Sequence, residues 1–157
     1  KENILRDMGR AATGVKGVNL RDGDFVVGSS TINNSQEVLV VSENGLGKRT
    51  SAEQYPTKGR GGKGIKVMNV TERTGKLAGL VTVNGDEDLM LITDTGVIIR
   101  TNVDNISQTG RSAQGVKVMR LDKEAHIVTF ALVERESEMT ETETAENGSE
   151  EVTSEEV

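Results

Sequence analysis

The chain has 157 residues, of which 34% are hydrophobic, with two Phe, one Tyr, no Trp and no Cys. That composition excludes a disulfide framework and a thiolate metal site, and no apolar run approaches the roughly 18 residues of a membrane span. The net charge of −6 divides unevenly: residues 134–157 hold ten Glu and one Arg, whereas residues 1–133 hold 18 Lys+Arg against 15 Asp+Glu. A mildly basic body with an acidic tail is the pattern of a polyanion-binding unit with an interaction segment.

The chain opens at Lys1, without a secretory signal pattern, in a segment that already reads as the interior of a domain, so a fragment of a cytoplasmic protein is expected. Its 18 Gly against one Pro, with apolar residues mostly Val, Ile, Leu and Ala, describe β-structure with many tight turns. A first Gly-Arg mark, Gly9-Arg10, leads into Gly14-Val15-Lys16. A candidate hairpin follows at 37–50 (EVLVVSENGLGKRT). The second mark runs Gly59-Arg60-Gly61-Gly62-Lys63-Gly64 and continues into Ile65-Lys66-Val67. After it, strands are predicted near 65–70, 76–83, 88–93 and 96–101, with turn signals at Thr74-Gly75, Asn84-Gly85 and Thr95-Gly96. The third mark, Gly110-Arg111, leads to Gly115-Val116-Lys117 and a strand near 126–133.

The marks are spaced by 50 and 51 residues, and the hairpin at 37–50 recurs at 88–101 (DLMLITDTGVIIRT), with Gly45 over Gly96 and Arg49 over Arg100. A period near 50 residues points to a propeller or solenoid, and four short strands per unit is the size of one propeller blade. The fold expected is all-β: an incomplete propeller of four-stranded antiparallel blades over 1–133. It starts inside one blade, contains one complete blade and ends in a third, leaving sheet edges exposed. Residues 134–157, almost devoid of apolar groups, are expected to be a disordered acidic tail. Ten Glu tethered to a basic body would either compete with phosphate for it or serve only to keep the chain soluble.

Residues 59–64 match G-x-G-x-x-G by spacing, but a dinucleotide fingerprint needs a helix after the loop, and Ile65–Val70 reads as strand. The other reading is a glycine-rich basic loop, whose backbone can approach a phosphate closely. The repeat favours it: Arg10, Arg60 and Arg111 share one position, and Lys16, Lys66 and Lys117 another, while Lys48, Arg49 and Arg100 mark a strand end. Cations repeated at blade spacing would form a stripe able to follow a duplex backbone. Catalytic candidates are poor. Tyr55 has no placed base, the lone His126 has no partner ligand, and the acidic stretches Asp22-Gly23-Asp24 and Asp86-Glu87-Asp88 read as solvated turns.

The loop resembles the basic glycine box of the C-terminal DNA-wrapping domain of DNA gyrase A subunits. Arg60, Gly61, Gly62, Lys63 and Gly64 match the last five positions of the box, while Lys58 and Gly59 depart from the first two. GLGKRTSAEQYPTKGRGGKG, VTERTGKLAGLVTV, LITDTGVIIRT and ISQTGRSAQGVKVMRL resemble late blades of the same domain. The resemblance implies sequence-independent binding and wrapping of double-stranded DNA by Arg10, Lys16, Lys48, Arg49, Lys58, Arg60, Gly61, Gly62, Lys63, Gly64, Lys66, Arg100, Arg111 and Lys117. It further implies a parent type II topoisomerase on the bacterial chromosome, an A2B2 heterotetramer of gyrase A and gyrase B that supercoils DNA negatively. No cofactor is implied for this segment, and ATP and Mg2+ for the parent complex. The catalytic Tyr of the family lies in a separate N-terminal region, so no catalytic residue is expected here. The alternatives are the corresponding domain of topoisomerase IV and a protein-binding propeller.

Overall fold

The structure, a computed structural model, describes residues 5–33 and 36–135. Seven strands are present among them: β1 (Glu37–Ser42), β2 (Leu46–Ser51), β3 (Leu77–Val83), β4 (Glu87–Thr93), β5 (Ile98–Asn102), β6 (Val116–Lys117) and β7 (Ile127–Glu134). They form two antiparallel sheets, ordered β3-β1-β2-β6 and β5-β4-β7. No helix among the described residues is long and apolar enough to cross a membrane.

The two hairpins are built alike because their turns carry the same chemistry. Gly45 and Gly96 both take a positive φ, 78° and 83°, a conformation glycine adopts without steric cost. The Ser42 hydroxyl donates to the Leu46 carbonyl and accepts from the Leu46 amide. Thr93 repeats both bonds with Val97. Each hairpin then acquires a further strand from the following repeat: β3 on β1 and β7 on β4.

The expectation of four consecutive strands in one sheet is therefore corrected. The segment 76–83 joins the preceding hairpin, while 88–101 joins the following β7. The Asn84-Gly85 turn carries the chain from one sheet to the next instead of closing a hairpin. The Glu87 carboxylate holds it by accepting from the Asn84 and Gly85 amides. The predicted strand at 65–70 is likewise absent from both sheets. Its counterpart one repeat later, Val116–Lys117, is a strand because it finds Leu46 and Gly47 on the edge of β2. Among the described residues no hairpin stands one repeat before β2 to receive 65–70 in the same way.

The core lies between the sheets. Leu39, Val41, Val83, Leu89, Leu91, Val103, Ile106, Met119 and Ile127 form one buried cluster. Each such fully buried apolar side chain contributes about 1.5–3 kcal/mol. β1 is an interior strand of its sheet and is covered on both faces, which accounts for its unbroken apolar run. Its other face buries Val38 and Val40 under Met68, with Val67 and Tyr55 beside them. The apolar residues of 65–70 thus cover a sheet without joining one. Close approach of β3 and β7 shows at Gly79, where an added Cβ would lie 3.0 Å from the Phe130 ring. On the far side, Ser30 and Thr82 share a hydrogen bond of 2.8 Å, so residues near 30 run beside β3. Phe25, Val26, Val27 and Ile32 of that segment remain exposed.

The described residues extend two positions into the segment expected as acidic tail. Glu134 ends β7 and pairs with Glu87, and Arg135 reaches Asp88 and Asp104 at 3.3 Å. The remaining tail expectation falls on 136–157, outside the described residues.

Candidate nucleic-acid interface

The three Gly-Arg loops touch one another in chain order. The Gly61 amide donates to the Gly17 carbonyl and the Asn19 amide to the Gly62 carbonyl, both at 2.9 Å, so the second loop is pinned alongside the end of the first. The third loop then meets the exit of the second, where Arg111 Nη1 donates to the Lys66 carbonyl at 3.4 Å. Positive φ at Gly14, Gly64 and Gly115, 81°, 76° and 86°, repeats the same backbone turn in all three. Gly61 adds a fourth left-handed residue, at 67°, where the second loop docks.

Along this track Arg10, Lys16, Lys58, Arg60, Lys63, Lys66 and Lys117 are exposed, as are Gly61, Gly62 and Gly64. Lys16 donates to Asn19 Oδ1 at 2.9 Å. Arg111 is half-buried. The loop cations face water on a scaffold whose glycines leave the main chain accessible, a surface suited to a polyanion.

Three of the expected cations have partners within the protein. Lys48 is fully buried, and its ammonium donates to the carbonyls of Gly110 and Arg111 at 2.7 and 2.6 Å. Burial, and secondarily the nearby Arg111 charge, lower its pKa. Arg49 pairs with Glu37 at 2.9 Å and donates to the Ile106 carbonyl at 2.7 Å. Arg100 stands one repeat later and pairs with Asp88 at 2.8 Å. Both are diagonal cross-strand pairs on one face of a hairpin. Each arginine thus carries the same ion pair of its hairpin; Arg49 is half-buried, whereas Arg100 remains exposed. The signal was present in the sequence: an acid at Glu37 and Asp88 precedes each arginine by the same interval.

Asp88 also accepts from Asn102 at 2.9 Å. Burial pushes its carboxyl up, and the hydrogen bonds and charges of Arg100 and Arg135 outweigh that and hold it below the ordinary aspartate value. The Tyr55 hydroxyl is enclosed, and burial raises its pKa. His126 lies 3.5 Å from Asp94 on the surface. No group of three or more His, Cys, Asp or Glu that could hold a metal occurs among the described residues.

The family model described as DNA gyrase C-terminal domain, beta-propeller, matches residues 4–33, 36–84 and 87–134. The chain is 52% identical over 139 residues to the DNA gyrase A protein of Staphylococcus aureus strain NCTC 8325 / PS 47, and 51% identical to that of strain MRSA252. Each match covers 87% of the chain and 16% of the relative, so the chain spans about a sixth of the proteins it matches. Among solved structures, a DNA gyrase A C-terminal domain is similar with a TM-score of 0.69 at 26% identity, over 82% of this chain and 44% of that one. The C-terminal domain of a DNA topoisomerase IV is similar in fold, with a TM-score of 0.77 at 21% identity, over 85% and 42%.

Proposed function

Because the chain belongs to the DNA gyrase C-terminal domain, beta-propeller family, we propose that it binds double-stranded DNA along its three basic loops and bends it on behalf of a gyrase A protein. The observation that carries this reading is the end-to-end joining of the loops, Gly17 to Gly61 and Lys66 to Arg111. It turns cations scattered through the sequence into one track. Contacts from such a track go to phosphates and read no bases, so binding is independent of sequence. Smoothly bending 20–30 bp by 40–90° costs on the order of 1–6 kcal/mol, and a row of phosphate contacts offsets it.

In the parent enzyme, the A2B2 complex of gyrase A and gyrase B, the bent segment is presented to the strand-passage gate with one handedness. ATP hydrolysis by gyrase B, with Mg2+, then drives negative supercoiling. The test is ligation of a nicked circular plasmid in the presence of the parent domain. A shift of linking number in one direction, lost in Arg60→Ala/Lys63→Ala/Lys66→Ala, supports wrapping. An unshifted distribution with bound protein contradicts it and favours a topoisomerase IV-like use of the same fold.

A further inference from the structure

Lys48 is the largest fully buried side chain among the described residues. Enclosing an ammonium is unfavourable unless its donors are satisfied, and here the partners all belong to one turn. Lys48 donates to the carbonyls of Gly110 and Arg111. Thr50, two residues on and so on the same face of β2, donates to the Thr109 carbonyl at 2.9 Å. Gln54 Oε1 accepts from the Arg111 amide at 3.4 Å. Main-chain bonds close both ends: Arg49 with Ser107 and Thr109, and Leu46 and Gly47 with Lys117 and Val116.

Residues 107–117 therefore form a strap along β2, with three successive carbonyls turned inward onto Lys48 and Thr50. On this strap Lys117 is exposed and Arg111 is half-buried, its guanidinium reaching the Lys66 carbonyl. Among the described residues the second loop has no such clasp: its docking on 17–19 uses main-chain bonds. The position equivalent to Lys48 in the next hairpin is Ile99, so the clasp is not a general element of the repeat.

We propose that Lys48 is a positioning residue for DNA binding: its ammonium fixes the main chain of 109–111 so that Arg111 and Lys117 meet the phosphate backbone in a preset arrangement. This rests on the reading of the basic loops as the DNA surface. A preset loop loses less conformational freedom on binding, and freeing two long side chains weakens affinity by roughly fivefold to a hundredfold.

The experiment compares Lys48→Met in the intact chain with the same change in an Arg111→Ala/Lys117→Ala background. It measures affinity for a duplex by fluorescence anisotropy and amide hydrogen exchange across 109–117. The proposal expects a loss of at least fivefold in the first background, no further loss in the second, and faster exchange confined to the strap. Equal losses in both backgrounds overturn it, because they report a direct phosphate contact or general destabilisation. Unchanged affinity with only a lower melting temperature also overturns it, leaving Lys48 a structural residue alone. If Arg111→Ala/Lys117→Ala by itself leaves affinity intact, the DNA reading of this loop fails and the proposal with it. Faster exchange in Lys48→Met distinguishes that result from failure of the clasp. Should Lys48→Met not fold, Thr50→Val removes one bond of the same clasp and is expected to show the same pattern at lower amplitude.

Discussion

Gly64 and Gly115 occupy the same repeat position with nearly the same φ, 76° and 86°, yet their surroundings differ. A Cβ added at Gly64 meets nothing within 4 Å, whereas one at Gly115 overlaps the Gly47 carbonyl and lies 3.3 Å from Lys48 Cβ. The left-handed backbone alone costs an alanine about 1–2 kcal/mol. Forcing extra volume into packed main chain adds about 1–3 kcal/mol. Gly64→Ala is therefore expected to destabilise by ~1–2 kcal/mol, and Gly115→Ala by ~2–5 kcal/mol, from the sum of those two effects. Neither change alters charge, so urea denaturation compares them directly, with stability read from the midpoint shift at unchanged slope. Equal destabilisation by the two variants, or a larger loss at Gly64, would refute the seating of the third loop on β2.

Arg49→Ala is expected to cost about 1.5–3 kcal/mol, through its charged hydrogen bonds, and to leave DNA affinity unchanged. Arg60→Ala should do the reverse, with stability within about 0.5 kcal/mol of the parent and weaker binding; calorimetry and anisotropy on both separate the roles. Asp88 has a folded pKa below its ordinary value, so on acidification the unfolded chain takes up the proton first. Its stabilisation is complete above about pH 4 and is lost as pH falls through the folded value. Asp88→Asn should accordingly flatten the stability profile below about pH 4. Deleting 136–157 removes nine Glu and is expected to raise duplex affinity at low salt, measured against the full chain; unchanged affinity would refute competition by the tail.

The hairpins, their glycine turns and the repeat were legible because each is a local pattern stated twice: Ser42 with Gly45, then Thr93 with Gly96. Strand partners were not. The Asn84-Gly85 turn marks a reversal without saying whether the strands around it pair, and β3 lies against β1 because its apolar residues complete that face. Lys48 read as a solvent-facing cation because alternation alone cannot show that the strap at 107–117 will cover it. The ion pairs of Arg49 and Arg100 were overlooked for a related reason. Repetition identifies a position that matters to the unit, and the unit used it for an ion pair. The exposed loop cations were legible as a set, yet their joining into a track required the Gly61–Gly17 and Arg111–Lys66 contacts, between residues 44 and 45 apart in sequence.

The claim that this surface binds duplex DNA through phosphates is tested most directly by titrating salt against affinity for two duplexes of unrelated sequence. The two plots of log K against log salt are expected to fall linearly and to superimpose, with each phosphate contact adding about 0.9 to the slope. Arg60→Ala should then reduce the slope by about 0.9, and Arg49→Ala should leave it unchanged. Salt-insensitive binding, or a strong preference for one sequence, would contradict the account.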